Sequence, residues 1–250
     1  MKLIILTLTF LLMSGCLNKT PVTDRNQVVF MSPQEEMQLG ENSYKEILAK
    51  SKISHDAIQT QRIRRIGQRI AKAANKPEYK WEFNLVENEQ INAFCLPGGK
   101  VVVYTGILGV AKNDDQLATV MSHEVAHALA RHGAERMSHQ QISGAVKSIG
   151  SILLQGYAPQ YTSAFNMAYS TGVNVGVMLP FSRSHENEAD EIGIYLMHDA
   201  GYDIKEAIKF WQNMKKLKGA GSSNSFFSTH PSDDERIKHI TKIVAKINRS

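Results

Sequence analysis

Five residues near the middle of the chain, His123-Glu124-Val125-Ala126-His127, have the types and the spacing for metal chemistry. On a helix, positions four apart share a face and lie about 6 Å apart along the axis. Two imidazoles so placed can hold one tetrahedral metal ion. Glu124 is turned by about 100° from His123, so it can reach a metal-held water without ligating the metal. That is the arrangement that metal-assisted hydrolysis of a peptide bond requires. By composition alone the HExxH pattern arises in roughly one chain in a hundred of this length, so it needs a third ligand to support it.

Glu186-Asn187-Glu188-Ala189-Asp190 offers one. Glu186 and Asp190 are four apart and share a helical face. Glu186 can complete a set of two histidines and one glutamate, leaving the fourth position for water. Asp190 can accept a hydrogen bond from a ligand imidazole and fix its tautomer. Glu188 points elsewhere and reads as a surface or structural acid. The competing reading is a solvated acidic face. Ala189, Ile192 and Leu196 weaken it, because they require this helix to be at least partly buried. His230, in Thr229-His230-Pro231, suits two tasks: stabilising an oxyanion or serving as an auxiliary metal ligand, or simply packing at the head of the last helix. Arg236 is placed to pair with an acid near the site. His132, His139, His185, His198 and His239 do not extend the motif spacing and read as structural or exposed.

These side chains need helices to carry them. Ser32-Pro33-Gln34-Glu35 is a capping box with proline in the first turn, and the helix it opens runs to about Lys50. Ile58, Ile63, Ile66 and Ile70 mark a second helix, about Asp56 to Asn75. Trp81 to Val86 alternates as a strand does. Ile91 to Cys95 and Lys100 to Tyr104 flank Pro97-Gly98-Gly99 and predict a hairpin. Asn113-Asp114-Asp115-Gln116 opens the HExxH helix, whose apolar pattern continues to about Met137. Ser148 to Ser182 holds no charged residue and is interrupted by polar residues throughout, so it reads as buried or semi-mobile helices rather than a membrane span. The second motif lies on a helix from about Ser184 to Asp199, stopped near Gly201. A helix from about Asp203 to Leu217, the loop Gly219 to Ser225, and a last helix capped at Ser232-Asp233-Asp234-Glu235 complete the chain. The fold class is α+β, predominantly helical, with a small sheet.

The first residues carry a different signal. Lys2 precedes an apolar run, Leu3 to Met13, too short to span a bilayer and of the length of a signal peptide. The run ends in Met13-Ser14-Gly15-Cys16, similar to a bacterial lipobox, which predicts a lipoprotein signal over residues 1–15 and lipidation of Cys16. A plain secretory signal that contains a cysteine is the alternative. Asn18 to Asn26 reads as a polar tether. With Cys16 lipidated, Cys95 has no disulfide partner and reads as a buried structural thiol. The chain has 250 residues, 42% hydrophobic and 21% charged, with a net charge of +5 spread thinly. No nucleic-acid module accompanies that charge.

Taken together, the motifs resemble those of the HtpX-like and CAAX-prenyl-protease-like zinc endopeptidases, a gluzincin family. More narrowly they are similar to its soluble lipoprotein branch, related to a mitochondrial membrane quality-control peptidase. The matching pieces are Ser32 to Gly40, Asn92-Ala93-Phe94 with Pro97-Gly98-Gly99, His123 to Met137, Leu179 to Asp190, and Thr229 to Arg236. The resemblance implies a zincin-like domain over residues 31–250, after a lipidated cysteine and tether over residues 16–30. It implies one Zn2+ per chain held by His123, His127 and Glu186, with Glu124 as general base. Expected partners are protein or peptide substrates, misfolded or membrane-associated, and a membrane reached through the lipid. The expected location is the cell envelope, on the periplasmic face of the outer membrane in a Gram-negative cell. Asn92 to Phe94 is expected to bind substrate as an added strand, and Ile142 to Leu179 to form a lid. A chaperone or outer-membrane assembly factor with a structural or latent zinc site is the alternative function.

Overall fold

A computed structural model describes residues 17–164, 166–167, 183–219, 226, 230 and 234–249. The expected signal 1–15 and Cys16 lie outside these residues. Two short strands, β1 (Leu17–Lys19) and β2 (Asn26–Val28), pair antiparallel. Helices α1 (Pro33–Lys50) and α2 (Ala57–Ala74) follow, then β3 (Glu82–Val86), β4 (Ala93–Leu96) and β5 (Lys100–Tyr104). Five longer helices follow among the described residues: α3 (Asp114–Leu129), α4 (His132–Tyr157), α5 (Arg183–Asp199), α6 (Lys205–Gly219) and α7 (Asp234–Ile247).

The capping signals act as read. Ser32 and Glu35 form a reciprocal capping box, and Asp56 and Asn113 cap α2 and α3 by accepting from the backbone N–H of Gln59 and Gln116. The hairpin forms at Gly98 and Gly99, whose φ values of +82° and +85° suit glycine alone at little cost. In the three-stranded sheet β5 is central, parallel to β3 and antiparallel to β4. Thus β4 lies at the edge of that sheet, against α3.

Helix α3 is the axis of the domain: every residue from Gln116 to Leu129 is buried. The sheet covers one side, and α2, α5 and α6 cover the others. Helix α5 crosses α3 with almost no gap. A Cβ on Gly193 would stand 3.1 Å from the backbone N and 3.2 Å from the Cα of His123, so glycine there lets the two motif helices meet.

Three expectations change. The HExxH helix does not run to Met137. It stops at Leu129, Arg131 takes a left-handed conformation (φ 56°), and α4 starts at His132. Arg131 is held in that uncommon geometry by Glu36 (2.6 Å) and the carbonyl of Met31 (2.7 Å). The stretch read as a tether is folded, because it finds partners in the domain: buried Thr20 donates its Oγ1–H to Glu188 at 2.5 Å, and Phe30 N–H donates to Ser138 Oγ at 3.0 Å. The uncharged segment is not buried where it is described. Helix α4 runs past the core and exposes Val146, Ile149, Ile152, Leu153 and Tyr157. The part of the expected lid beyond Met167 lies outside the described residues. Cys95 is half-buried on β4.

Candidate metal centre

Helix α3 places His123 and His127 on one face, and α5 brings Glu186 onto it. Of each of His123, His127, Glu186 and His230, one donor atom lies within 4.8 Å of all the others, and all four residues are buried. Glu186 stands 3.5 Å from His123 Nε2 and 3.4 Å from His127 Nε2. Nδ1 of His230 stands 3.1 Å from Glu186 and 3.3 Å from His123 Nε2. The ring of His230 packs on Phe226, with centroids 4.7 Å apart.

The outer nitrogens determine what the inner ones can do. His123 Nδ1–H points at Oδ1 of Asp190, 3.0 Å away. His127 Nδ1 lies 2.8 Å from Nδ1 of His132. With both Nδ1 protons directed outward, the two Nε2 lone pairs face one another at 3.1 Å. Two lone pairs at that distance repel unless a proton or a cation lies between them. A divalent cation fits this donor set of imidazoles and one carboxylate. Burial and the Arg236 charge push the His123 imidazole down, but Asp190 and Glu186 more than offset them and raise it to about 9.

Glu124 lies beside the cluster. Among the described residues its buried Oε1 has no hydrogen-bond partner, and His230 Nε2 stands 3.5 Å away. Burial raises this carboxyl above the usual carboxylate range. Asp190 and Glu186 are clamped by Arg236 from α7. Its Nε and Nη2 donate to the two oxygens of Asp190, both at 2.8 Å, and its Nη1 donates to Glu186 at 2.7 Å. The guanidinium lies 3.5 Å from the ring centre of Trp211, so this buried cation is satisfied on its edge and its face.

The candidate residues His123, Glu124, His127, Glu186, Asp190 and His230 therefore converge. Asn92, Ala93 and Phe94 fall at the start of the edge strand β4 beside α3, with Asn92 O accepting from Tyr104 N–H at 3.0 Å. Glu188 is not a surface acid. It is buried and accepts from His132 Nε2–H at 2.9 Å. Three buried residues absent from the sequence-based site belong to the same network: His132 binds Glu188 directly, Glu135 is joined to it through Arg25, and His185 binds Glu135 and stacks on His132. His132 was within view as the fifth residue after His127, but only the left-handed turn at Arg131 brings it back onto that ring.

The profile of peptidase family M48 matches residues 57–244. The mitochondrial metalloendopeptidase OMA1 of Schizosaccharomyces pombe is 33% identical over 230 residues, covering 90% of this chain and 65% of that protein. OMA1 of Saccharomyces cerevisiae is 34% identical, covering 95% and 74%. The beta-barrel assembly-enhancing protease of Escherichia coli K12 is 32% identical over 214 residues, covering 83% and 43%. The chain thus spans between 43% and 74% of the length of these curated relatives.

Proposed function

The chain belongs to peptidase family M48, and from that premise we propose that it is a zinc-dependent metalloendopeptidase of the cell envelope. The observation that carries the reading is the convergence of four buried donor atoms, with the unpartnered carboxylate oxygen of Glu124 beside them. His123, His127 and Glu186 hold the metal. When bound, zinc supplies a Lewis acid that makes water acidic near neutrality and polarises a carbonyl.

The chain's own residues do the rest. Glu124, with a carboxyl raised by burial, takes the proton of the attacking water and returns it to the leaving nitrogen. Asp190 holds the proton of His123 on Nδ1 and keeps Nε2 free for the metal. Arg236 keeps Asp190 and Glu186 ionised and in place. His230 lies in the donor cluster as an auxiliary ligand. β4 is the edge strand of its sheet and lies beside α3, a position suited to an extended peptide added as a strand. Cys16 is the proposed lipid attachment site, and no described helix is long and apolar enough to cross a membrane.

The test is cleavage of casein by the purified full chain and by its Glu124→Gln variant. Cleavage by the first and not the second is expected. Equal rates would remove Glu124 from the chemistry. A second reading, a binding factor for envelope or outer-membrane proteins, draws on the exposed apolar residues of α4. It is separated by comparing Glu124→Gln with deletion of the whole gene: full rescue by the variant would favour binding over proteolysis.

A further inference from the structure

A second polar network leads outward from His127 and ends in the N-terminal residues. Nδ1 of His127 and Nδ1 of His132 lie 2.8 Å apart and share one proton. Glu188 Oε2 can only accept, so the shared proton is assigned to His127 Nδ1 and that of His132 to its Nε2. That proton points at Oε2 of Glu188, 2.9 Å away. Glu188 also accepts from Thr20 Oγ1 (2.5 Å), from Thr23 Oγ1, and from Arg25 Nε (2.8 Å). Arg25 forks onward to both oxygens of Glu135, at 2.8 and 2.7 Å. Glu135 in turn accepts from His185 Nε2–H at 3.0 Å, the residue before Glu186. The rings of His132 and His185 stack with centroids 4.3 Å apart.

The order of these bonds has a consequence for tautomers. Glu188 accepts only, so it holds the proton of His132 on Nε2. His132 Nδ1 then accepts only, so it holds the proton of His127 on Nδ1. His127 Nε2 is left as a lone pair facing Glu186. Without the Glu188 carboxylate, His132 is free to protonate Nδ1. Two N–H groups would then oppose each other at 2.8 Å, and His127 would move its proton to Nε2, where it blocks ligation.

We propose that His132 and Glu188 are positioning residues for His127, and that Thr20, Thr23 and Arg25 complete their arrangement. The strength of metal binding therefore depends on the docking of the N-terminal strand pair. This rests on the metal-centre reading above. It also gives the segment after Cys16 a task other than a tether: a pull on it is felt at one ligand.

The experiment measures zinc affinity by chelator competition on the full chain in detergent. The Co2+ absorption spectrum reports the ligand set, and the melting temperature of the metal-free protein reports the fold. Glu188→Gln is expected to weaken zinc binding by about 10–100-fold and to change the Co2+ spectrum. Arg25→Met is expected to weaken it less, and to add nothing further in the Glu188→Gln background, because both act through one path. Ser138→Ala removes the bond to Phe30 N–H, which lies beyond the strand pair and outside the relay, and should weaken binding far less than Glu188→Gln. If Glu188→Gln does not fold, Thr20→Val with Thr23→Val removes only neutral hydroxyls and should still weaken binding. Unchanged affinity in the relay variants, additive losses, or an equal loss in Ser138→Ala would overturn the relay. Absence of zinc from the unsubstituted chain would instead overturn the metal centre itself.

Discussion

His123 and His127 stand one turn apart on the same helix, yet their outer nitrogens are held from opposite ends of the chain. His123 is held directly by a carboxylate, Asp190, which the C-terminal helix clamps with Arg236, 4% exposed. His127 is held by a neutral imidazole, then a carboxylate, then residues of the N-terminal strand pair, where the Arg25 side chain is 29% exposed. The difference lies in solvent. A fully buried ionic brace is rigid and severe to break, because each lost partner leaves an uncompensated charge. A relay that ends near the surface is screened and easier to release.

That contrast can be broken from the strong side first. Arg236→Met should destabilise the fold by about 3–5 kcal/mol, since Glu186 and Asp190 lose their buried cation. A urea melt reads this, and a cost below that of Arg25→Met would reverse the ranking of the two braces. Gly193→Ala should cost about 1–3 kcal/mol by overpacking and push α5 off α3. The contact is with backbone, which cannot rotate away, so a variant with unchanged stability and zinc affinity would show that the close crossing is unnecessary.

The N-terminal brace also has a pH signature. Burial pushes the Glu135 carboxyl up, but Arg25 and His185 more than offset it, lowering it from 4.5 to about 2. A depressed carboxylate contributes stability above its unfolded value and loses it as pH falls through the folded one. Protection of residues 17–28 from proteolysis should therefore hold above about pH 4.5 and fade toward pH 2. Protection insensitive to pH over that range would detach Glu135 from the docking. The smallest effect belongs to the far end of α4. Ile152, 69% exposed, is expected to tolerate Ile152→Lys within about 0.5 kcal/mol, as a thermal melt would show.

How legible the site was follows from how local its rules are. His123, His127 and Glu124 are fixed by helical period alone, and Ser32, Asp56 and Asn113 announce their helices by capping chemistry. Glu186 and Asp190 follow the same period, although only the glycine at 193 lets their helix come close enough. The relay was hidden because it needs a break that no residue signals. Arg131 is neither glycine nor asparagine, and its left-handed geometry is held by distant partners, Glu36 and Met31. The N-terminal pair was hidden for a similar reason. Its strands are three residues long and its turn puts Val22 and Asp24 at positive φ, so only contacts made across the fold identify it.

The central claim is that His123, His127 and Glu186 hold one zinc ion. X-ray absorption at the zinc edge on the purified full chain addresses it directly. One zinc per chain in a shell of nitrogen and oxygen at about 2.0–2.2 Å is expected, with loss of the ion in His127→Ala. A chain without zinc, or a sulfur neighbour at about 2.3 Å that implicates Cys95, would contradict it.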